Sequence, residues 1–322
     1  MKAGVASEKG VVVADVPEPK PKPSEVLVKV RAAALNRADL TTARGLPHGP
    51  GGGIGQPIGI EWAGEVIATG PDVKDIWPGE RVMCSGTGGY AEYAVSDWGR
   101  VWPIPDGMSF EDAATLPVSL ITLHNALVTA GRMQPGDSVL IQGASSGVGL
   151  MGLQIARLMG AKLVIGTSTH PDRRARLTEF GADLAIDTRD PTWPDQILQA
   201  TEGKGVNVVV DMLSGPLVTP LMRATALLGR IVNVGRLAGT NADFDFNLHA
   251  LRRIEYIGVT FRTRTVDEVR MISRQMRADL WDAVKAGKLK LPIDARFPLD
   301  QVPEAHARMH DNKHFGKIVL TM

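Results

Sequence analysis

The chain has 322 residues, 44% of them hydrophobic and 22% charged, with a formal net charge of +1. That length exceeds what one hydrophobic core usually serves and points to two domains. The balanced charge, with no run of lysines or arginines, excludes the electrostatic footprint of a nucleic-acid binder. The start, Met1-Lys2-Ala3-Gly4-Val5, has no apolar block followed by a small-residue cleavage site, and runs such as Val139 to Ile141 and Val208 to Val210 stay far shorter than the roughly 20 residues of a membrane span. Cys84 is the single cysteine, so no intrachain disulfide forms. The expectation is a soluble, cytoplasmic protein with no membrane partner.

The opening third is rich in Gly and Pro, with short strand-like runs at Glu25 to Val30, Glu65 to Ala68, Arg81 to Met83 and Tyr90 to Val95; it predicts a small β-rich lobe. His48 to Gly55 is glycine-rich and reads as a mobile loop. After Pro117 the pattern changes. Val139 to Ile141, Leu163 to Ile165, Leu184 to Ile186, Val208 to Val210, Ile231 to Val234 and Tyr256 to Val259 recur between helix-like segments. This alternation predicts an α/β fold with a doubly wound parallel sheet. In the first crossover helix, Met151, Ile155 and Leu158 share one face of a segment that stops at Gly160. Beyond Thr265 a helix runs through Met271, Met276 and Trp281, and Gly316-Lys317-Ile318-Val319-Leu320 ends the chain as a strand that returns to the first lobe.

The strongest local signal is Val139-Leu140-Ile141-Gln142-Gly143-Ala144-Ser145-Ser146-Gly147-Val148-Gly149: strand, small-residue turn, then helix. Small residues let the backbone approach a pyrophosphate, and the free N–H groups and dipole at the helix start attract its charge. Ser145, Ser146, Gly147 and Val148 are the expected contacts. The literal Gly-x-Gly-x-x-Gly spelling is absent, since Ala144 and Ser146 take the first two glycine places and Gly149 the third. A ligand-free tight turn is the alternative, which the surrounding βαβ pattern disfavours.

The next strand ends at Ile165-Gly166-Thr167-Ser168-Thr169, followed by His170, Pro171, Asp172, Arg173 and Arg174. An NAD-selective site places an acidic side chain at this strand end, and none stands there. Ser168 can hydrogen-bond and Arg173 or Arg174 can pair with a 2'-phosphate, so NADPH is the expected cofactor. Two other readings stay open: a loop shift that brings Asp172 to the ribose, and arginines that only coat a solvated helix.

Asn36-Arg37-Ala38-Asp39 with Arg44-Gly45, Pro57-Ile58-Gly59-Ile60-Glu61-Trp62-Ala63-Gly64, Pro78-Gly79-Glu80-Arg81-Val82, Gly89-Tyr90-Ala91-Glu92-Tyr93, the Ala-Ser-Ser-Gly-Val-Gly turn and Gly316-Lys317-Ile318-Val319 follow in order. Together they resemble the zinc-independent quinone oxidoreductase and zeta-crystallin branch of the medium-chain dehydrogenase/reductase superfamily, over nearly the whole chain. The resemblance implies a Rossmann sheet, residues 123–265, inserted into a GroES-like β-rich lobe made of residues 1–122 and 266–322, and a homodimer. Zinc alcohol dehydrogenases of that superfamily have a Cys where this chain has Asn36 and a His where it has Ile60. Their structural zinc needs four cysteines, so the expected metal content is none. Glu61 has no visible partners at this level.

The implied activity is hydride transfer from NADPH to a quinone, an enone or another α,β-unsaturated carbonyl compound. An enoyl-thioester reductase and a non-catalytic, crystallin-like NADPH-binding protein remain as alternatives. Without a metal, something else must stabilise the charge that develops on the substrate oxygen. The resemblance implies Asn36 as that polariser, against a loop-capping Asn, with Asp39 orienting its segment. It implies Thr122 near the nicotinamide carboxamide, against a helical Thr bonded to a preceding carbonyl. Thr188 is expected at the adenosine end, Leu213 and Gly235-Arg236-Leu237 along the dinucleotide, and Thr260-Phe261 near the nicotinamide. Lys317 belongs to a basic tail with His310 and His314 and reaches a cofactor phosphate if the tail folds back. Several relatives carry Tyr after the Arg-Gly pair, where this chain reads Leu46-Pro47-His48; His48 or water is the expected proton source. Tyr90 and Tyr93 are expected to pack, and Cys84 lacks an activating neighbour.

Overall fold

The computed structural model describes residues 1–49 and 51–322, so the His48 to Gly55 loop includes one residue, Pro50, outside the described residues. The chain divides into two compact units, Met1–Ile121 with Phe261–Met322, and Thr122–Thr260. Residues 261–265, assigned above to the inserted domain, group with the first unit. There the Gly49 backbone lies against Arg262, where an added Cβ would be 3.3 Å from Arg262 Cα.

The first unit is built on Glu25–Ala34, whose alternating Val and Ala side chains are largely buried. This strand pairs antiparallel with Glu61–Thr69, Tyr93–Asp97 and Lys317–Thr321. The full sheet runs Ile293–Pro298, Lys317–Thr321, Glu25–Ala34, Glu61–Thr69, Arg81–Ser85, Val101–Pro103. Lys317–Thr321 also pairs parallel with Ile293–Pro298, so the chain end closes this unit. Antiparallel neighbours put the end of one strand beside the start of the next. Asn36, two residues past Glu25–Ala34, therefore sits at the same sheet end as Glu61 and Lys317, which open their strands. Val26, Val28, Trp62, Tyr90, Val302, Ile318 and Leu320 belong to its core.

Tyr90 lies outside the strand expected to begin with it. Its N–H donates to Ile58 O at 2.8 Å and its carbonyl accepts from Gly4 N at 2.6 Å, so the backbone is committed elsewhere before Tyr93–Asp97 begins. Helix Val266–Lys285 starts at Thr265 with a full capping box to Glu268, and its Ser273 accepts the Trp102 indole N–H at 2.8 Å.

In the second unit six parallel strands stand in the order Leu184–Ile186, Leu163–Thr167, Ser138–Gln142, Val206–Asp211, Thr225–Asn233, Glu255–Gly258. This is the doubly wound order, in which the sheet reverses direction at its first strand. Both faces are covered, so the central strands are continuous apolar runs. Helix Gly147–Leu158 buries Met151 and Ile155 completely, but Leu158, at its last position, is 39% exposed. The apolar face expected to reach Leu158 ends at Ile155, because the helix emerges into solvent there.

One expectation about apolar runs is corrected. Residues 110–130 form a helical stretch long and apolar enough to cross a membrane by length and composition, although 72% of its apolar window is buried inside the protein. Scattered Ser, Thr, His and Asn side chains break its runs without making it polar, which is why inspection of uninterrupted runs passed it over.

Candidate active site

The first group of candidates gathers at the carboxyl ends of the second unit's strands. Gly143 leaves Ser138–Gln142 with φ +75°, a turn open to glycine. The Gly143 and Ala144 N–H groups are tied to Thr167 on the next strand, at 2.9 and 2.8 Å. Ser146 caps the helix, its hydroxyl accepting Gly149 N–H at 3.1 Å. Leu150 N–H goes to the Ser146 carbonyl, which leaves the first-turn amides of Gly147 and Val148 for an anion. A Cβ at Gly149 would stand 2.6 Å from Ala144 Cα, so only glycine lets the turn fold this closely onto its helix. Ser168 Oγ donates to Ser145 Oγ at 3.1 Å. The structure thus brings Ser145, Ser146, Gly147, Val148 and Ser168 together at the switch point of the sheet, where α/β proteins of this order bind their ligands.

Arg173 and Arg174 lie on the short helix Pro171–Ala175 that follows, both half-buried. Arg174 donates to Ser168 O and to Asp187 Oδ2, each at 2.9 Å. Asp187 also holds Arg189, and these arginines keep its carboxyl well below the usual carboxylate range. Arg174 is therefore partly neutralised and fixed to the strand end. Asp172 is exposed.

Leu213 packs on the turn, its Cδ2 3.3 Å from where a Gly143 Cβ would stand, and Gly235 lies so close to Met212 that its own Cβ would meet Met212 O at 2.5 Å. Arg236 and Thr188 are half-buried and Leu237 is exposed. Thr122 is half-buried in helix Pro117–His124, with no protein partner for its hydroxyl among the described residues. Thr260 closes the second unit and Phe261 opens the returning part of the first, with Arg264 over its ring at 5.6 Å.

Sequence reasoning missed Asp211, the fully buried end of an apolar strand, whose Oδ1 accepts the Leu213 and Ser214 N–H groups at 2.9 Å each. Burial raises its pKa. Asn233 donates to Ser214 Oγ, and Ser214 Oγ donates to Gly235 O at 2.8 Å. This network shapes the loops that carry Leu213 and Gly235. A charge ending an otherwise apolar run was the available signal.

The second group lies in the first unit. Asn36 is buried, its Nδ2 donating to Glu61 Oε1 at 2.8 Å and to Ala34 O at 3.4 Å. Lys317 Nζ donates to Asn36 Oδ1 at 2.9 Å and forms a close ion pair with Glu61 Oε1. Glu61 Oε2 accepts Val118 N–H at 2.8 Å. Glu61 is 0% and Lys317 3% exposed. The reading of Glu61 as partnerless is thereby corrected; its partners come from strand ends far away in sequence. Burial pushes the Glu61 carboxyl upward, and Lys317, Val118 N–H and Asn36 each pull it back. The Lys317 ammonium is committed here, so a phosphate contact by it would break a buried ion pair.

Asp39 holds the Asn36 segment, its Oδ2 accepting Asn36 N–H at 2.7 Å and Tyr90 OH at 2.6 Å. Tyr90, expected only to pack, is thus also a donor. Asp39 is fully buried, its Oδ1 without a partner among the described residues, and burial pushes its carboxyl up to about 7. The Tyr90 ring meets His306 edge-on at 5.8 Å, and burial lowers His306 to about 4. His48 is half-buried, and burial and Arg262 both lower its pKa. Cys84 is buried, and the loss of water pushes its thiol above its usual range.

Among the described residues no group of three or more His, Cys, Asp and Glu side chains could hold a metal ion. A cavity of about 680 Å³ elsewhere in the first unit, lined by Trp98, Trp102, Arg270 and Arg274 among others, contains none of the candidate residues.

Residues 22–106 match the alcohol dehydrogenase GroES-like domain and residues 147–276 the zinc-binding dehydrogenase domain. The chain is 30% identical over 315 residues to quinone oxidoreductase-like protein 2 of Bos taurus, covering 94% of this chain and 87% of that protein. It is 32% identical over 311 residues to a phenolphthiocerol/phthiocerol polyketide synthase of Mycobacterium tuberculosis; that match takes in 96% of this chain, which spans only 14% of the much longer synthase. Among solved structures it superposes on the CurK enoyl reductase with a TM-score of 0.87 at 26% identity, covering 100% of this chain and 99% of that one. A mycobacterial protein complexed with NADPH gives 0.87 at 25% identity, with both chains covered completely. With a GroES-like lobe, a doubly wound nicotinamide-dinucleotide fold and a quinone oxidoreductase-like relative matched over most of its length, the chain belongs to the medium-chain dehydrogenase/reductase superfamily of oxidoreductases.

Proposed function

We propose that the protein is an NADPH-dependent, zinc-free reductase that delivers hydride to a quinone or another α,β-unsaturated carbonyl compound. The observation that carries this reading is the buried Asn36–Glu61–Lys317 cluster: a polar arrangement with a buried ammonium on the lobe where zinc relatives hold their metal. NADPH, when bound, supplies the hydride. The Gly147 and Val148 amides and the space kept by Gly149 fit its pyrophosphate, and Ser168 with Arg173 or Arg174 would suit a 2'-phosphate better than a ribose hydroxyl. Thr122 would orient the carboxamide, and Thr188, Leu213, Gly235, Arg236, Leu237, Thr260 and Phe261 would border the dinucleotide.

In such a reaction the β-carbon gains the hydride and negative charge moves to the carbonyl oxygen. The Asn36 amide would donate a hydrogen bond to that oxygen, and the nearby ammonium would favour its charge. Water or His48 would supply the proton that completes reduction, with burial and Arg262 both lowering the His48 pKa. A homodimer in the cytoplasm belongs to the same reading, and light scattering on the purified protein tests the dimer.

The test is NADPH and NADH oxidation against a panel of quinones, enones and an enoyl thioester. Turnover with quinones or enones is the expected result. If none of them stimulates oxidation while NADPH still binds, the substrate assignment falls. Turnover with the thioester alone would favour the second reading, an enoyl-thioester reductase, which the likeness to a polyketide synthase and to the CurK enoyl reductase supports. Binding without any turnover would favour a non-catalytic, crystallin-like role.

A further inference from the structure

Lys317, Glu61 and Asn36 close a ring of hydrogen bonds: Lys317 Nζ to Asn36 Oδ1, Asn36 Nδ2 to Glu61 Oε1, and Lys317 Nζ to Glu61 Oε1. The chemistry of the partners sets the orientation of the amide. An ammonium only donates and an ionised carboxylate only accepts, so Oδ1 must face Lys317 and Nδ2 must face Glu61. A flipped amide would set its NH₂ against the ammonium and its oxygen against the carboxylate, with both groups buried.

The ring also changes what Asn36 can do. An ammonium on Oδ1 draws electron density from the amide and strengthens its N–H groups as donors, by the cooperativity of linked hydrogen bonds in a low-dielectric site. One Nδ2 hydrogen is taken by Glu61 at 2.8 Å, whereas the second has only the long 3.4 Å contact to Ala34 O. That second hydrogen, held in the plane of the locked amide, is the one left for a ligand.

We propose that Lys317 and Glu61 are a pair of positioning residues that lock the Asn36 amide with its donor side presented and strengthen that donor, in place of a role for Lys317 on cofactor phosphate. The proposal rests on the function proposed above for Asn36. The pair spans 256 residues and is anchored by the Val118 N–H on Glu61 Oε2, so it holds Asn36 independently of the Asp39 contact to its backbone.

The test uses the full chain and three variants: Lys317→Met, Lys317→Arg, and the double variant Glu61→Gln with Lys317→Met. The double variant leaves no unpaired buried charge, so it carries the test should Lys317→Met fail to fold. Three quantities are measured: the Asn36 side-chain amide resonances and their hydrogen exchange with selectively ¹⁵N-labelled asparagine, the NADPH dissociation constant, and kcat and KM with the best quinone or enone. Lys317→Met is expected to lower kcat about ten- to hundredfold, leave the NADPH dissociation constant unchanged, and speed exchange of the Asn36 amide. Lys317→Arg is expected to restore part of kcat and slow that exchange again. The double variant should lose no more kcat than Lys317→Met, since both residues act through Asn36.

A rise in the NADPH dissociation constant that parallels the fall in kcat would overturn the proposal and return Lys317 to the cofactor. Unaltered Asn36 resonances and exchange in Lys317→Met and the double variant would overturn it as well. If the unmodified protein turns over no substrate, the functional reading fails by itself, and the amide resonances and NADPH affinity alone decide whether Lys317 holds Asn36.

Discussion

Asp39 is the residue whose environment has the plainest consequence for pH. Its folded value of about 7 lies above the unfolded carboxylate value of about 3.9. The native state therefore holds the proton more tightly, and the stability this contributes is complete below about pH 4 and lost as pH rises through about 7. Asp39→Asn should remove that loss, so urea melts at pH 5 and pH 8 should differ less for the variant than for the parent, by at most about 1.4 kcal/mol per pH unit. An identical pH dependence in both proteins would contradict the burial argument. Arg173→Ala should weaken NADPH by roughly ten- to hundredfold, the worth of a hydrogen-bonded charge. NADH affinity should hold, and equal losses of NADPH and NADH would remove the 2'-phosphate assignment.

At the scale of elements, the turn between Ser138–Gln142 and Gly147–Leu158 carries the most information per residue. Gly149→Ala places a methyl 2.6 Å from Ala144 Cα and 2.7 Å from Gly143 O, both backbone atoms that cannot rotate away. The turn must open, at about 1–3 kcal/mol for overpacking. Calorimetric melting should detect that loss. The same variant should weaken NADPH and NADH alike, because the pyrophosphate is common to both, in contrast to Arg173→Ala. This element was legible in the sequence because strand, turn and helix are contiguous and each follows local rules. The limits of Gly147–Leu158 were less so, since the exposure of Leu158 depends on where the neighbouring elements stop.

For the whole molecule, the decisive expectation concerns metal. Dialysis against EDTA should leave both turnover and melting temperature unchanged; a loss of either that zinc restores would refute the zinc-free reading. The two units explain the order of the family matches, with the GroES-like match ahead of the dinucleotide match. The last strand belongs to the first unit because it pairs with both Glu25–Ala34 and Ile293–Pro298.

Sequence alone determined the fold class, the two-lobed organisation and the small-residue turn before Gly147–Leu158, because apolar periodicity, small-residue turns and helix starts are set by neighbours a few positions apart. Tertiary structure decided the partners of Glu61 and Lys317, the hydrogen bond that makes Tyr90 more than a packing residue, and the partial neutralisation of Arg174 by Asp187. A buried charge is stable only beside a compensating one, and here Glu61 and Lys317 compensate each other from strand starts 256 residues apart, with the Asn36 amide, 25 residues from Glu61, completing the hydrogen bonds. No local pattern records such a meeting; it exists only once the antiparallel sheet has brought the end of one strand beside the start of two others.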